Sequence, residues 1–171
     1  LEGFLDAVPS AIGEIGLDRW VSQRDEVAQE EVFRAQLGLV VQRNLPVTIH
    51  CLRAWGWLMD ILQDTGAPPA GMLIHSYGGA AEMVPPLAKL GARFSFAGNI
   101  LVPDRKQARK GFAAVPDDLL LLETDAPALT PPEPYRPHTI EAPDGALWNE
   151  PANLPAIADG VAQLRDVSAQ S

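Results

Sequence analysis

The sequence is poor in three features, and each scarcity limits what the protein can be. A single cysteine, Cys51, excludes an intramolecular disulfide and fits a reducing compartment, so we expect a cytoplasmic protein. No apolar run approaches the roughly 18 residues of a membrane span, so we expect no membrane partner. Lysine and arginine number 13 against 22 acidic residues, so the chain lacks the overall positive charge typical of nucleic-acid-binding proteins.

What the sequence does contain is enough apolar material for a core. The chain has 171 residues, of which 47% are hydrophobic, and this length predicts one domain over 1–171. It begins Leu-Glu-Gly-Phe, without an initiator methionine. We therefore expect that the natural start of the protein lies upstream of these residues.

Short apolar runs alternate with helical patterns along the chain. The predicted strands are 11–15, 47–50, 72–75, 93–96 and 119–122, and the helices between and after them are 25–42, 54–63, 80–90, 104–114 and 151–167. Asp104 is the expected N-cap of the fourth helix, and 126–149, rich in proline, is expected to be a long loop. The four leucines at 119–122 predict a strand buried on both faces, as in parallel sheets. The repeated strand–helix order predicts an α/β fold with parallel strands.

Ionisable residues of metal-ligand type lie within or directly after four of these strands. Glu14 lies in the first strand, His50 and His75 end the second and third, and Glu123 and Asp125 follow the leucine run. The carboxyl ends of parallel strands meet at one edge, where α/β proteins place their chemistry. Imidazole and carboxylate ligands together suit Zn²⁺, Mn²⁺ or Mg²⁺. The pattern predicts a divalent-metal site, although any one of these residues alone could be structural.

Two other patterns leave their interpretation open. Arg105, Lys106, Arg109 and Lys110 crowd four positive charges into six positions. They form either a solvated helix face or a patch that attracts substrate phosphate. A Ser-His-Asp triad could be built with Ser76 or Ser95, but no Gly-x-Ser-x-Gly sequence supports it.

Five segments together resemble the TatD family of metal-dependent hydrolases. They are 13–18 (GEIGLD), 45–51 (LPVTIHC), 74–79 (IHSYGG), 122–127 (LETDAP) and 149–155 (NEPANLP). The resemblance runs through nearly the whole chain and implies a (β/α)8 TIM barrel of the amidohydrolase type, of which this chain would hold the last five βα units. It also implies hydrolysis of phosphodiester bonds in DNA, or in small phosphodiesters, with one or two divalent ions.

The same resemblance implies a role for each matched residue. Glu14 would bridge two metal ions, and His50 and His75 would complete the coordination of one of them. Asp125 would bind the other ion and orient or deprotonate the attacking water. Glu123 would support the ligands from behind. Catalysis would then rest on Asp125 and Glu14.

The sequence departs from the family pattern in ways that leave alternatives open. The His-x-His pair of the family's first strand is absent, since the one further histidine, His138, lies in the proline-rich loop. The first three strand–helix units are also missing, so a preceding segment or a partner would have to complete the barrel. Position 76 has serine where the family more often has cysteine. The alternatives are a related barrel hydrolase acting on ester, lactone or amide bonds, and an inactive metal-binding fragment.

Overall fold

The structure, a computed structural model, describes residues 2–168 and divides them into two compact units. The first unit holds the residues up to His75 together with Glu82–Arg93. The second holds Ser76–Ala81 and the residues from Phe94 onward. The prediction of one domain stays a prediction, and each unit is described by itself.

The first unit is built on three parallel strands in the order β1-β2-β3. The strands are β1 (Ile12–Asp18), β2 (Val47–Leu52) and β3 (Met72–Ile74), and the helices are α1 (Glu2–Ala7), α2 (Glu26–Arg43), α3 (Trp55–Thr65) and α4 (Val84–Lys89). Ile15 pairs with Ile49, and Gly16 with His50. This register places the ends of β1 and β2 side by side, and the backbone N–H of His75 donates to the Ile49 carbonyl at 2.9 Å.

Local sequence signals explain where the helices of this unit begin and end. Asp25 caps α2, accepting a hydrogen bond from the Ala28 N–H at 3.0 Å, and Asn44 ends the helix with a φ of 51°. Phe33, Leu37 and Val40 form the buried stripe of α2. In the segment predicted as a short helix with prolines in its first turn, a 3-10 turn at Ala81–Met83 precedes α4, which begins Val-Pro-Pro.

The second unit pairs two parallel strands and adds a hairpin and two helices. Its elements are β4 (Ala92–Phe96, of which the residues from Phe94 belong here), α5 (Lys106–Ala114), β5 (Leu120–Leu122), β6 (Ile140–Glu141), β7 (Leu147–Trp148) and α6 (Leu154–Arg165). Phe94 pairs with Leu120, and β6 runs antiparallel to β7. The core is aromatic: the ring centroids of Tyr77 and Phe94, and of Phe96 and Phe112, lie 5.0 Å apart in edge-to-face contact.

Three predictions about the second unit are wrong. Leu121 is 43% exposed, so β5 is not buried on both faces, because the described residues cover its Leu121 face only in part. Asp104 does not cap α5: Arg105 occupies the N-cap position, and no side chain bonds there. The proline-rich segment contains the β6–β7 hairpin, which its two-residue strands hide from periodicity.

The helices of the structure are short or carry polar residues along their length. No helix between residues 2 and 168 combines the length and the apolar character that a membrane crossing requires.

Candidate metal centre

The structure brings Glu14, His50 and His75 together in the first unit. Glu14 Oε1 lies 3.2 Å from His50 Nδ1 and 3.9 Å from His75 Nε2. A single carboxylate oxygen therefore faces both imidazoles, which come from the ends of β2 and β3. This juxtaposition is what the strand-end pattern predicted, while the metal-binding roles of the three residues stay predictions.

A fourth side chain, Asp18, joins this group, and the sequence analysis missed it. Asp18 Oδ2 lies 3.3 Å from His50 Nε2, so the imidazole of His50 is held between two carboxylates. The signal was present in the sequence, because Asp18 ends β1 within the quoted 13–18 motif. Its contact with His50 follows from the register of β1 and β2, which the sequence does not display.

The close approach of β1 to β2 depends on Gly16. A Cβ atom at Gly16 would stand 1.9 Å from the backbone oxygen of His50, far inside any allowed contact. Glycine is the residue that permits a neighbouring backbone to come this near. Gly16 thereby sets the position of His50 relative to Glu14 and Asp18.

The end of β1 is fixed by α2 through a pair of hydrogen bonds. The backbone N–H of Asp18 donates to Gln29 Oε1 at 2.8 Å, and Gln29 Nε2 donates to the Asp18 carbonyl at 3.1 Å. The backbone N–H and the backbone carbonyl of Asp18 are thus both bonded to the Gln29 side chain. The Asp18 carboxylate is left to contact His50 from a fixed main chain.

The group borders an open cleft of about 430 Å³. Its lining includes Glu14, Asp18, Val21, Gln29 and His50. The side chain of His50 is 36% exposed and that of Glu14 43%, so both can reach a ligand from solvent. His75 is more enclosed, with 16% of its side chain exposed.

The donor set fits a divalent cation chemically. Among residues 2–168, no group of three or more His, Cys, Asp or Glu side chains is arranged so that it could hold a metal ion as it stands. Two imidazoles nevertheless converge on one carboxylate oxygen, and a second carboxylate supports one of the rings. Nitrogen and oxygen donors of this kind bind Zn²⁺, Mn²⁺ or Mg²⁺, and a carboxylate behind a ligating histidine is the usual supporting contact.

Cys51 takes no part in this group. It is a free cysteine, 6% exposed, on the opposite face of β2 from His50. Burial raises the pKa of its thiol to about 12, with the negative charge of Asp18 adding to the effect and a hydrogen bond to the Ala54 backbone opposing it. The thiol therefore stays protonated at neutral pH and does not resemble a metal-binding thiolate.

The two predicted acidic residues of the leucine strand lie in the second unit. The Glu123 N–H donates to the Phe96 carbonyl at 3.1 Å, and Glu123 Oε2 accepts a 2.6 Å hydrogen bond from Ser95 Oγ. Asp125 adopts a left-handed conformation, with a φ of 53°, in the turn that follows β5. Asp125 as metal ligand and catalytic residue, and Glu123 as its support, stay predictions.

Two buried asparagines hold the turn that carries Asp125. Asn149 Nδ2 donates to the Thr124 carbonyl at 2.7 Å, and the Asn149 N–H donates to the Pro127 carbonyl at 2.9 Å. Asn153 Nδ2 donates to Asn149 Oδ1 at 2.9 Å, and both residues are at most 1% exposed. The sequence analysis quoted these asparagines as part of a motif without assigning them this role.

The four clustered basic residues divide into two kinds. Arg109 donates from Nε and Nη2 to the carbonyls of Ile100 and Leu101, at 3.1 and 2.8 Å, so its guanidinium closes a turn of its own unit. Arg105, Lys106 and Lys110 are exposed. The role of the cluster in substrate binding stays a prediction.

Comparisons with known sequences agree on one group of relatives. The family described as "TatD related DNase" matches residues 6–171. An uncharacterized metal-dependent hydrolase, YabD, from Bacillus subtilis is 34% identical over 92% of this chain and 58% of its own length. A protein named "3'-5' ssDNA/RNA exonuclease TatD" from Pantoea vagans is 35% identical over 94% of this chain and 60% of its own length. The chain thus spans about three fifths of the length of these relatives.

Solved structures confirm the predicted fold class, α/β of the TIM-barrel type. YJJV, a TatD homologue from Escherichia coli, superposes over 99% of this chain and 62% of its own, with a TM-score of 0.84 and 26% identity. A hydrolase of the TatD family from Entamoeba histolytica gives a TM-score of 0.78 at 23% identity, over 98% of this chain and 60% of its own.

Proposed function

The chain belongs to the TatD-related DNase family of metal-dependent hydrolases, and on that premise we propose that it hydrolyses phosphodiester bonds of DNA. The observation that carries this proposal is the convergence of His50 and His75 on Glu14 Oε1. It supplies donors for a divalent cation beside an open cleft. Relatives named single-strand DNA and RNA exonucleases support a nucleic acid as the substrate.

Each residue has a proposed role in the reaction. A divalent ion, when bound, supplies Lewis-acid chemistry and an acidified water molecule. Glu14 and the two histidines would hold the cation, and Asp18 orients the ring of His50 through its contact with Nε2. Asp125 is proposed to orient or deprotonate the attacking water, and Glu123 to fix its surroundings. The chain has a net charge of −9, so the positive charge that offsets the scissile phosphate would come from the metal ions.

We also propose that further strands pair with the edges of β1 and β5. Within its own unit each strand is paired on one edge, and a cleft of about 390 Å³ beside β5 is lined by Leu120, Leu122 and Val161. Unpaired strand edges and exposed apolar side chains favour association. A preceding segment of a longer chain, or a partner, would complete the barrel there. The buried, free Cys51 is compatible with the proposed cytoplasmic location.

The test compares His50→Ala and Asp125→Asn with the complete natural protein. We expect both variants to lose metal-dependent cleavage of DNA, with His50→Ala also losing bound metal by elemental analysis. Matched controls are His138→Ala, whose hydrogen bonds are made by its main chain, and Asp144→Asn in the turn of the β6–β7 hairpin. Both controls should retain activity.

The substrate class is tested on the same preparations. A panel of single-stranded DNA, RNA and small phosphodiesters is set against esters, lactones and amides. Near-normal cleavage of DNA by both His50→Ala and Asp125→Asn would contradict the proposal. Turnover confined to esters, lactones or amides would replace it with a related barrel hydrolase, and metal binding without any turnover would indicate an inactive fragment.

A further inference from the structure

A stacked pair of side chains, Trp20 and Arg53, lies next to the candidate metal centre. The guanidinium carbon of Arg53 stands 4.0 Å from the centroid of the Trp20 ring, and Trp20 is 62% exposed. The two residues come from different loops, one after β1 and one after β2, at the carboxyl ends of these strands. The pair therefore presents a large aromatic surface and a positive charge at the same edge as His50.

The pair is tied to the metal centre through Asp18. The backbone N–H of Trp20 donates to Asp18 Oδ1 at 2.6 Å, while Oδ2 of the same carboxylate lies 3.3 Å from His50 Nε2. Arg53 follows His50 by three residues and adopts a left-handed backbone with a φ of 57°. A non-glycine residue in this conformation is uncommon and is found where the surrounding structure dictates its direction. The metal centre and the stacked pair thus share one positioning group.

A second cation–aromatic pair nearby shows what a structural version looks like. Arg19 lies 4.9 Å from the Trp57 ring centroid, but it also bonds Glu26 at 3.0 Å, and the Trp57 indole donates to Glu30 at 2.7 Å. Both members of that pair are therefore satisfied by acidic partners. Arg53 has no ion pair within residues 2–168, and the indole of Trp20 makes no hydrogen bond to them. The charge of Arg53 and the ring of Trp20 are left available to a ligand.

We propose that Trp20 and Arg53 form a nucleobase-stacking subsite for single-stranded nucleic acid beside the metal centre. This inference rests on the proposed function and adds the group that would recognise the substrate. An unpaired base would stack on the indole of Trp20, and Arg53 would attract a neighbouring phosphate. Every base has a π-face, so such a subsite tolerates any sequence, and bases inside a duplex cannot enter it.

The site also explains how an acidic chain could hold a polyanion. The positive charge of Arg53 lies in the loop directly after β2, and stacking adds affinity that does not depend on charge. The net charge of −9 predicts weak non-specific attraction for phosphates. Recognition of the base, rather than of the backbone alone, would then supply much of the affinity.

The experiment measures binding of the complete natural protein to two nuclease-resistant phosphorothioate strands of equal length, an oligothymidine and its abasic counterpart. The readout is the dissociation constant for the abasic strand divided by that for the oligothymidine, so a larger ratio means a stronger preference for bases. Trp20→Ala should lower the preference for the base-containing strand about tenfold, and Trp20→Phe should keep most of it. Arg53→Ala should weaken binding and reduce the salt dependence by about one phosphate contact.

The matched control is Arg93→Ala. Arg93 is exposed and lines a cleft formed by the first residues of β2 and β3, at the opposite end of those strands. Like Arg53→Ala, the Arg93→Ala substitution removes one positive charge from the first unit. It should leave the ratio of dissociation constants unchanged. Thermal unfolding of each variant verifies that the fold is retained.

The outcomes separate this proposal from the function on which it rests. An unchanged ratio in Trp20→Ala, in a protein that cleaves DNA, overturns the stacking subsite and leaves the hydrolase standing. A reduced ratio in a protein that cleaves no phosphodiester supports the subsite and removes the hydrolase. Failure of the natural protein to prefer the base-containing strand also overturns the subsite.

Discussion

The carboxyl ends of β1 and β2 and the aromatic core of the second unit are stabilised by opposite means. On β1 and β2, Glu14 and His50 are partly exposed and held by polar contacts and one close backbone approach. In the core, Phe96 and Phe112 are at most 2% exposed and held by ring contacts. We therefore expect substitutions in the core to lower the stability of the protein, and substitutions at the strand ends to lower its affinity for a ligand.

Two arginines make the same contrast on a smaller scale. Arg165 lies 4.4 Å from the Phe112 ring centroid and donates to the Phe112 and Val115 carbonyls, each at 2.8 Å, so it seals the core. Arg53 lies 4.0 Å from the Trp20 centroid, and both of these residues are exposed. Similar stacking geometry closes a core in one unit and presents a surface in the other.

The largest effect on stability is expected from the core. Phe112→Ala removes the ring that contacts Phe96 and Arg165, and it should lower the free energy of unfolding by about 4 kcal/mol. Urea unfolding followed by circular dichroism measures the change. Phe4→Ala is the control, since Phe4 is 81% exposed and its loss should cost under about 0.5 kcal/mol. Similar losses of unfolding free energy in the two variants would contradict the stabilising role of the aromatic core.

The next effect is expected at the strand ends and should appear in metal binding first. Gly16→Ala forces β1 away from the His50 carbonyl, which should weaken metal binding at least about tenfold and cost about 1–3 kcal/mol of stability. Calorimetric titration with Zn²⁺ and urea unfolding measure the two changes.

The control for Gly16 is Gly38→Ala in α2, where an added Cβ meets open space. It should stabilise the protein by about 0.5–1 kcal/mol, because alanine favours helix over glycine, and leave metal binding unchanged. Undiminished metal affinity in Gly16→Ala would refute the role assigned to the close approach.

The smallest effect should come from Cys51, on the face of β2 opposite His50. The folded pKa of about 12 exceeds the ordinary value of 9.0, so the contribution of this thiol is intact below pH 9. As pH rises from 9 toward 12, the unfolded chain loses the proton while the folded protein keeps it, and stability falls by up to about 1.4 kcal/mol per unit. Urea unfolding at pH 8 and pH 10 should show a steeper loss in the natural protein than in Cys51→Ala. Equal losses would mean that the thiol titrates normally.

The predictable part of the site is the part that local patterns encode. Alternating apolar runs and helices predicted β1 to β4 and α2 to α4 to within a few residues, because periodicity and capping act over neighbouring positions. The placement of Glu14 in the first predicted strand, and of His50 and His75 at the ends of the next two, predicted that they would meet. The leucine run misled because burial depends on what covers a strand, and Leu121 is covered only in part.

The α/β class, the family and the candidate ligand side chains could be predicted from the sequence. Only the folded chain shows that Asp18 supports His50, that Trp20 stacks under Arg53, and that Asn149 holds the turn that carries Asp125. These three contacts join residues that are 32, 33 and 25 positions apart in the sequence. They follow from strand register and loop direction, and those are fixed when the whole chain packs rather than by the pattern of neighbouring residues.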